Sequence, residues 1–249
     1  MEQSKRNLAI PTHLPELAVN SINVVLEKRG WKAPFLFSLH LTGRSNILFS
    51  MTANLSTRER IIDVAKERFH ARGYADVGIK EICDNAHIQK GSFYHFFPSK
   101  EDLALTVIDE FAEDWASGFV AEAFDSRLQP MERIDYLIDA AYFWQKSVKE
   151  KNGKIPGCLF GNLALEMSTK NDVLRAKLNA VFTKAKARFK DTLEEAVSKG
   201  DIEPLDSELT AEAMLAYLEG MILLAKSEND PEVLYKLGPA IKTIRIEPI

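Results

Sequence analysis

The stretch IQKGSFYHFFPSKEDL, residues 88–103, sets four aromatic rings and a histidine in positions 93–97, behind Lys90 and Gly91 and ahead of Pro98. On a helix starting near Gln89, Phe93 and Phe97 are four apart and share a side with Ile88, which predicts that they pack inward. Gln89, Lys90, Ser92, Tyr94 and His95 project elsewhere. Their cation, hydroxyl, phenol and imidazole can donate hydrogen bonds to phosphates or base edges. Gly91 removes a side chain near the helix start, so backbone can approach a sugar-phosphate chain, and helix N-terminal amides favour the same anion. Taken singly, Tyr94 is as good a surface-packing tyrosine as a nucleic-acid contact. The set as a whole points to duplex DNA.

A second candidate lies in KNGKIPGCLFGNLALEMS, residues 151–168. Gly153, Pro156, Gly157 and Gly161 interrupt helical spacing around Cys158 and predict a bend with exposed backbone beside a thiol. Lys149, Lys151 and Lys154 are close in sequence, and the helix LFGNLALEM follows. Cations and a helix N-terminus both lower a thiol's pKa and raise its reactivity. The plain alternative is a small buried hydrophobe, and that is the reading for Cys83, on the inward face of its helix. A third candidate is an apolar pocket for a reversible small molecule. Its lining would come from Trp115, Phe119, Tyr142, Phe143, Trp144, Phe160, Met167 and Tyr217, although aromatics at helical spacing are mostly core.

Catalysis finds little support. The chain has no phosphate-binding loop, no dinucleotide fingerprint after a strand and no G-x-S-x-G elbow. His13, His40, His70, His87 and His95 include no H-E-x-x-H and no close Cys/His spacing for zinc, so no metal or cofactor is expected. Pairs such as Glu194-Glu195 and Asp109-Glu110 read as solvated helix faces. The net charge of −4 hides a gradient, with a positive balance over residues 1–100 and a negative one over residues 101–249. Polyanion binding is therefore expected at the N-terminal side alone. No apolar run reaches the roughly 18 residues needed to cross a bilayer. Two cysteines make no disulfide framework, and a reducing, cytoplasmic setting is expected.

These residues need elements to hold them. Residues 1–50 contain Pro11, Pro15, Pro34, Gly30 and Gly43 without sustained helical period and read as an appended, disordered segment, with Met51 as a natural start. Ser56-Thr57-Arg58-Glu59 is a capping box. Ile61, Ile62, Ala65 and Phe69 then follow at helical spacing to Arg72-Gly73, where a left-handed cap is expected. Ile79, Ile82, Cys83 and Ala86 mark a second, short helix. A turn at His87-Ile88 leads to a third over 89–96, and Ser99 with Asp102 caps a fourth. Two short helices joined by a tight turn behind a bracing helix make a helix-turn-helix. Further helices are predicted over Leu103–Phe124, Pro130–Val148, Leu159–Met167, Asp172–Lys199, Ser207–Lys226 and Pro231–Ile244. The fold class is all-α, with a DNA-binding domain over 51–102 and a helical regulatory and dimerisation domain over 103–249.

From Thr57 to Leu103 the chain closely resembles the DNA-binding domain of the tetracycline-repressor (TetR) family. The resemblance rests on Gly73-Tyr74, IKEICDNA, the recognition segment KGSFYHFF and KEDL. Two positions depart from the family's usual pattern. His87 stands where a turn glycine is common, and Gln89 where a serine or threonine often caps. The resemblance implies a homodimeric regulator, by family habit a repressor, on a pseudo-palindromic DNA operator. It implies DNA contacts from Lys90, Ser92, Tyr94 and His95, close approach at Gly91 and a phosphate held by Lys100. The last two helices carry apolar faces, Leu209, Ala213, Leu215, Tyr217, Leu218 and Ile222, then Val233, Leu234, Leu237 and Ile241. The resemblance implies that they pair with their mates, the alternative being burial within one subunit. The G-C-L segment and GMILLAK resemble the branch that responds to electrophiles and oxidants, with Cys158 as sensor and Lys226 as thiolate partner.

Overall fold

Ser56 starts the first helix by a reciprocal exchange. Its Oγ accepts from the Glu59 amide at 3.3 Å, while its own amide donates to Glu59 Oε2 at 2.7 Å. This satisfies two of the free amides of a helix start. The computed structural model describes residues 56–248, so the expectations for 1–50 and for Met51 lie outside the described residues. Among the described residues the chain forms ten α-helices, a closing 3₁₀ turn and no strand. The helices are α1 (Thr57–Arg72), α2 (Ile79–Asn85), α3 (Lys90–Phe96), α4 (Lys100–Ser117), α5 (Phe119–Ala123), α6 (Pro130–Asn152), α7 (Leu159–Met167), α8 (Asp172–Lys199), α9 (Ser207–Glu228) and α10 (Glu232–Leu237). The 3₁₀ turn is Gly238–Thr243. The all-α expectation holds.

Packing divides the described chain into two compact units. One combines residues 56–111 with 162–178, and the other 112–161 with 179–248. In the first, Ile61, Ile62, Ala65 and Phe69 of α1 are buried, as are Ile82 and Cys83 of α2 and Phe93 of α3. Cys83 is core, as read. Arginines latch α1 to α2: Arg60 donates to the Ala86 carbonyl, Arg68 to Asn85 Oδ1 and Arg72 to Glu81.

Gly73 does not make the left-handed cap expected of it. Its φ of 88° comes with ψ of 171°, an extended geometry on the glycine side of the map. A Cβ there would meet Glu166 Oε2 at 2.7 Å. The space is used by that carboxylate, which accepts from the Tyr74 amide at 2.7 Å and the Ala75 amide at 2.5 Å. Nothing in the local sequence around Gly73 announces a partner some ninety residues away.

In the second unit, α6 is the central element. Tyr136, Leu137, Ile138, Ala140, Tyr142 and Phe143 join one apolar cluster with Met214, Leu218, Met221 and Ile222 of α9 and Val233 and Leu234 of α10. Arg133, buried on α6, donates two hydrogen bonds to Glu195 at 2.6 and 3.1 Å and one to the Leu128 carbonyl. That geometry holds the Glu195 carboxyl well below the usual range. Three boundaries differ from expectation. Leu103–Phe124 is broken at Gly118, whose φ of −90° and ψ of −130° are not helical. Helix α6 runs on to Asn152, where Gly153 caps it in the left-handed region. The last element turns from α to 3₁₀ at Gly238-Pro239, since proline offers no amide to continue the α ladder.

The Tyr136 hydroxyl donates to Glu122 at 2.5 Å, and burial pushes the Glu122 carboxyl up to about 7. Because the fold favours the protonated acid, its stabilisation is complete below the ordinary value of 4.5. It is lost as pH rises toward and through about 7. Glu122→Gln keeps an acceptor for Tyr136 and is neutral at every pH. Urea denaturation at about pH 5 and about pH 8 should show the wild type losing more stability between them than the variant.

Candidate nucleic-acid interface

Helix α3 is seven residues long and could not stand alone in water. Phe93 and Phe97 hold it from behind, at 0% and 3% exposure, with their ring centroids 6.0 Å apart. The turn in front is a complete Schellman closure. Ile88 N donates to the Cys83 carbonyl and His87 N to that of Asp84, with His87 in the left-handed region at φ 54°. Histidine thus supplies the geometry for which glycine is usual, as its tolerance of that region predicts.

With the phenylalanines inward, the other side of α3 is open. Gln89, Lys90, Gly91 and His95 are exposed, Ser92 is half-buried, and Tyr94 keeps 45% of its surface. Lys90 Nζ lies 5.8 Å from the Tyr94 ring centroid, and Tyr94 stands edge-on to Phe93 at 5.3 Å. These contacts pre-order the cation and the phenol side by side. Gln89 occupies the cap position but makes no side-chain cap bond, which leaves its amide for an outside partner. A Cβ on Gly91 would meet nothing within 4 Å. Glycine in a helix costs about 1 kcal/mol relative to alanine, and among the described residues no neighbour requires it.

Lys100 is placed differently from its expected role. Its ammonium lies 4.2 Å from the centroid of the Tyr74 ring and 3.5 Å from the Ala75 carbonyl, and burial lowers its pKa. Ser99 caps α4 as read, with its Oγ accepting from the Asp102 amide at 3.1 Å.

Cys158 sits in a loop held at several points. Gln145, buried on α6, accepts from Gly157 N at 3.3 Å and donates to Gly157 O at 3.2 Å. Asn229, the left-handed cap of α9, accepts from Ile155 N and donates to Gly153 O. The half-buried thiol receives the Gly161 amide at 3.4 Å. Its pKa is raised well above the ordinary value, by burial first and then by Glu219, to which the thiol donates. The expected lowering by Lys149, Lys151 and Lys154 does not occur: Lys151 and Lys154 point to solvent, and the nearby charge is a carboxylate. Gly161 is no helix breaker but lies inside α7. Partial burial lowers the Lys226 pKa, with Cys158 acting weakly in the opposite direction. Glu219, Gln145 and Asn229 went unread because their sequence neighbourhoods carry no sign of the contact.

Of the expected pocket residues, Tyr142 and Phe143 belong to one apolar cluster, with Trp115 and Tyr217 packed against it. Trp115 and Trp144 pair edge-on at 5.4 Å. The Tyr142 hydroxyl donates to Glu232 at 2.6 Å and accepts from Lys146 at 3.2 Å, and the Tyr217 hydroxyl donates to the Leu237 carbonyl at 3.0 Å. Phe143, Phe160 and Met167 are buried. The side chain of Phe119 lies outside the described residues.

Comparison with known proteins agrees with this geometry. Residues 61–107 match the family described as bacterial regulatory proteins, tetR family, and residues 130–240 match the tetracyclin repressor-like C-terminal domain. The chain is 32% identical over 179 residues to the transcriptional regulator AcuR of Cereibacter sphaeroides, covering 71% of this chain and 80% of that one. It is 29% identical over 183 residues to the HTH-type transcriptional repressor DhaR of Mycobacterium sp. strain GP1, covering 73% and 88%. The crystal structure of regulatory protein TetR from Rhodobacter sphaeroides superposes with a TM-score of 0.68 at 31% identity, over 76% of this chain and 99% of that one. The chain belongs to the TetR family of DNA-binding transcriptional regulators.

Proposed function

We propose that this regulator is a repressor that reads its operator with the outer face of α3 and lets go when an electrophile or oxidant modifies Cys158. Support for the first half comes from Gly91, a glycine with open space before it on a helix whose other exposed side chains, Phe96 apart, are hydrogen-bond donors. Lys90, Ser92, Tyr94 and His95 would meet bases or phosphates, Gln89 would donate at the helix start, and Lys100 would leave the Ala75 carbonyl for a phosphate. Tyr94→Ala should weaken binding to the promoter beside the protein's own gene by about 1–3 kcal/mol at unchanged helicity. A mobility-shift titration with circular dichroism checks both.

Dimerisation would use only part of the faces read from sequence, the exposed Leu209 and Leu237 and the half-buried Ala213, together with neighbours not named there. Leu215, Leu218, Ile222, Val233, Leu234 and Ile241 are buried within their own chain. Leu209, Leu223 and Leu224 of α9 remain exposed, with Tyr235 and Leu237 of α10. At Gly220, between them, a Cβ would meet nothing within 4 Å. Positions 209, 213, 216, 220 and 223 recur at three and four residues, a seam at which a second helix can approach closely. Leu223→Glu should convert dimer to monomer in analytical ultracentrifugation and weaken operator binding with it.

The sensing half rests on Cys158, a half-buried thiol in a loop pinned by Gln145 and Asn229 with Lys226 within electrostatic reach. N-ethylmaleimide should release the operator from wild type and leave Cys158→Ser bound, as mobility shifts before and after treatment would show. The alternative, a reversible apolar ligand, is favoured by one feature: the buried Ser147 hydroxyl has no hydrogen-bond partner and lies one turn along α6 from Trp144. Such a ligand would wash out on dialysis and act equally on Cys158→Ser.

A further inference from the structure

Cys158, Gly161 and Glu219 form a set that the sensing proposal does not account for. A Cβ on Gly161 would stand 2.5 Å from Glu219 Oε2 and 3.5 Å from Cys158 Cβ. The absence of a side chain at this helical position is what lets a carboxylate from α9 lie beside the sulfur. Gly161 N donates to the same sulfur at 3.4 Å, and Gln145 fixes the preceding Gly157 from both its amide and its carbonyl. The sulfur therefore faces Glu219 in a fixed geometry. Among the described residues, the charged groups that face it are Glu219 and Lys226, both on α9, while α6 presents the neutral Gln145.

We propose that Glu219 is the residue that restrains Cys158 and sets its selectivity: its carboxylate holds the thiol proton and keeps anionic electrophiles from the sulfur, reserving it for uncharged ones. The inference rests on the reading of Cys158 as a modifiable residue and adds the group that governs the modification. Burial and the facing Glu219 raise the thiol's pKa, and burial raises that of Glu219. As pH climbs, the carboxyl gives up its proton first, and the thiol must then ionise beside a negative charge. With an uncharged haloacetamide, an S–C bond forms as the C–I bond breaks. Iodide leaves with the electron pair, and the thiol proton has gone to solvent before attack. With an activated alkene, sulfur bonds to the β-carbon and the π pair moves to the α-carbon, which takes up a proton from solvent.

The test follows carbamidomethylation by iodoacetamide and carboxymethylation by iodoacetate at Cys158, read by peptide mass spectrometry across pH in the full chain. Glu219→Gln keeps the size and an acceptor oxygen but carries no charge. It should lower the pH midpoint of labelling by about a unit. Ten times more thiolate, partly offset by its weaker nucleophilicity, makes labelling at neutral pH about threefold faster. The iodoacetate-to-iodoacetamide rate ratio should rise severalfold. Gly161→Ala, which pushes the carboxylate away, should move the same quantities in the same direction. Thermal melts by circular dichroism confirm that each variant is folded. Labelling of Glu219→Gln with the wild-type midpoint and charge preference would overturn the inference. If these quantities shift as stated while modified wild type stays on its operator, Glu219 keeps its role and the sensing proposal falls instead.

Discussion

The burial of Phe93 and Phe97 governs which groups α3 turns to solvent. A seven-residue helix has no stability of its own, so α3 takes its orientation from its anchors. Once those two rings are sealed against the first unit's core, helical geometry leaves Lys90, Gly91, Tyr94 and His95 no place but the surface. The turn before it is equally constrained, since the Schellman closure requires a positive φ at position 87. Packing thus sets which groups face outward, and the outward groups set what can be bound.

Elements whose signals are local could be read from sequence. The Ser56–Glu59 exchange, the Ser99 cap, the bounds of α7 and α8, and the inward placement of Phe93 and Cys83 all follow from spacing within a few residues. Contacts across long separations could not. Glu166 reaching the 74–75 amides, Gln145 reaching Gly157 and Glu219 reaching Cys158 join segments whose own patterns are ordinary. The break at Gly118 was missed because Val107, Ile108 and Phe111 on one side and Val120 and Phe124 on the other keep nearly the same apolar period across it. Which side of α9 stays exposed was not legible for a related reason. That helix is apolar on two sides, and period alone cannot say which side stays within the chain.

Cys158 shows how charge near in sequence can mislead. Three lysines within ten residues suggested an acidified thiol, yet Lys151 and Lys154 are exposed to solvent. What lies beside the sulfur is a carboxylate brought from α9 into the gap over Gly161. Spontaneous oxidation tracks the thiolate fraction, so a carboxylate beside a half-buried thiol keeps it inert at rest.

The space over Gly73 has a consequence for descent. Glu166 can approach the Tyr74 and Ala75 amides because position 73 presents only hydrogen. A methyl group there would displace the acid, and loss of the acid would leave the bare notch without a purpose. Neither position is free to drift alone. Among related chains the two should be inherited as a pair, changing together or not at all, although they lie far apart in the gene.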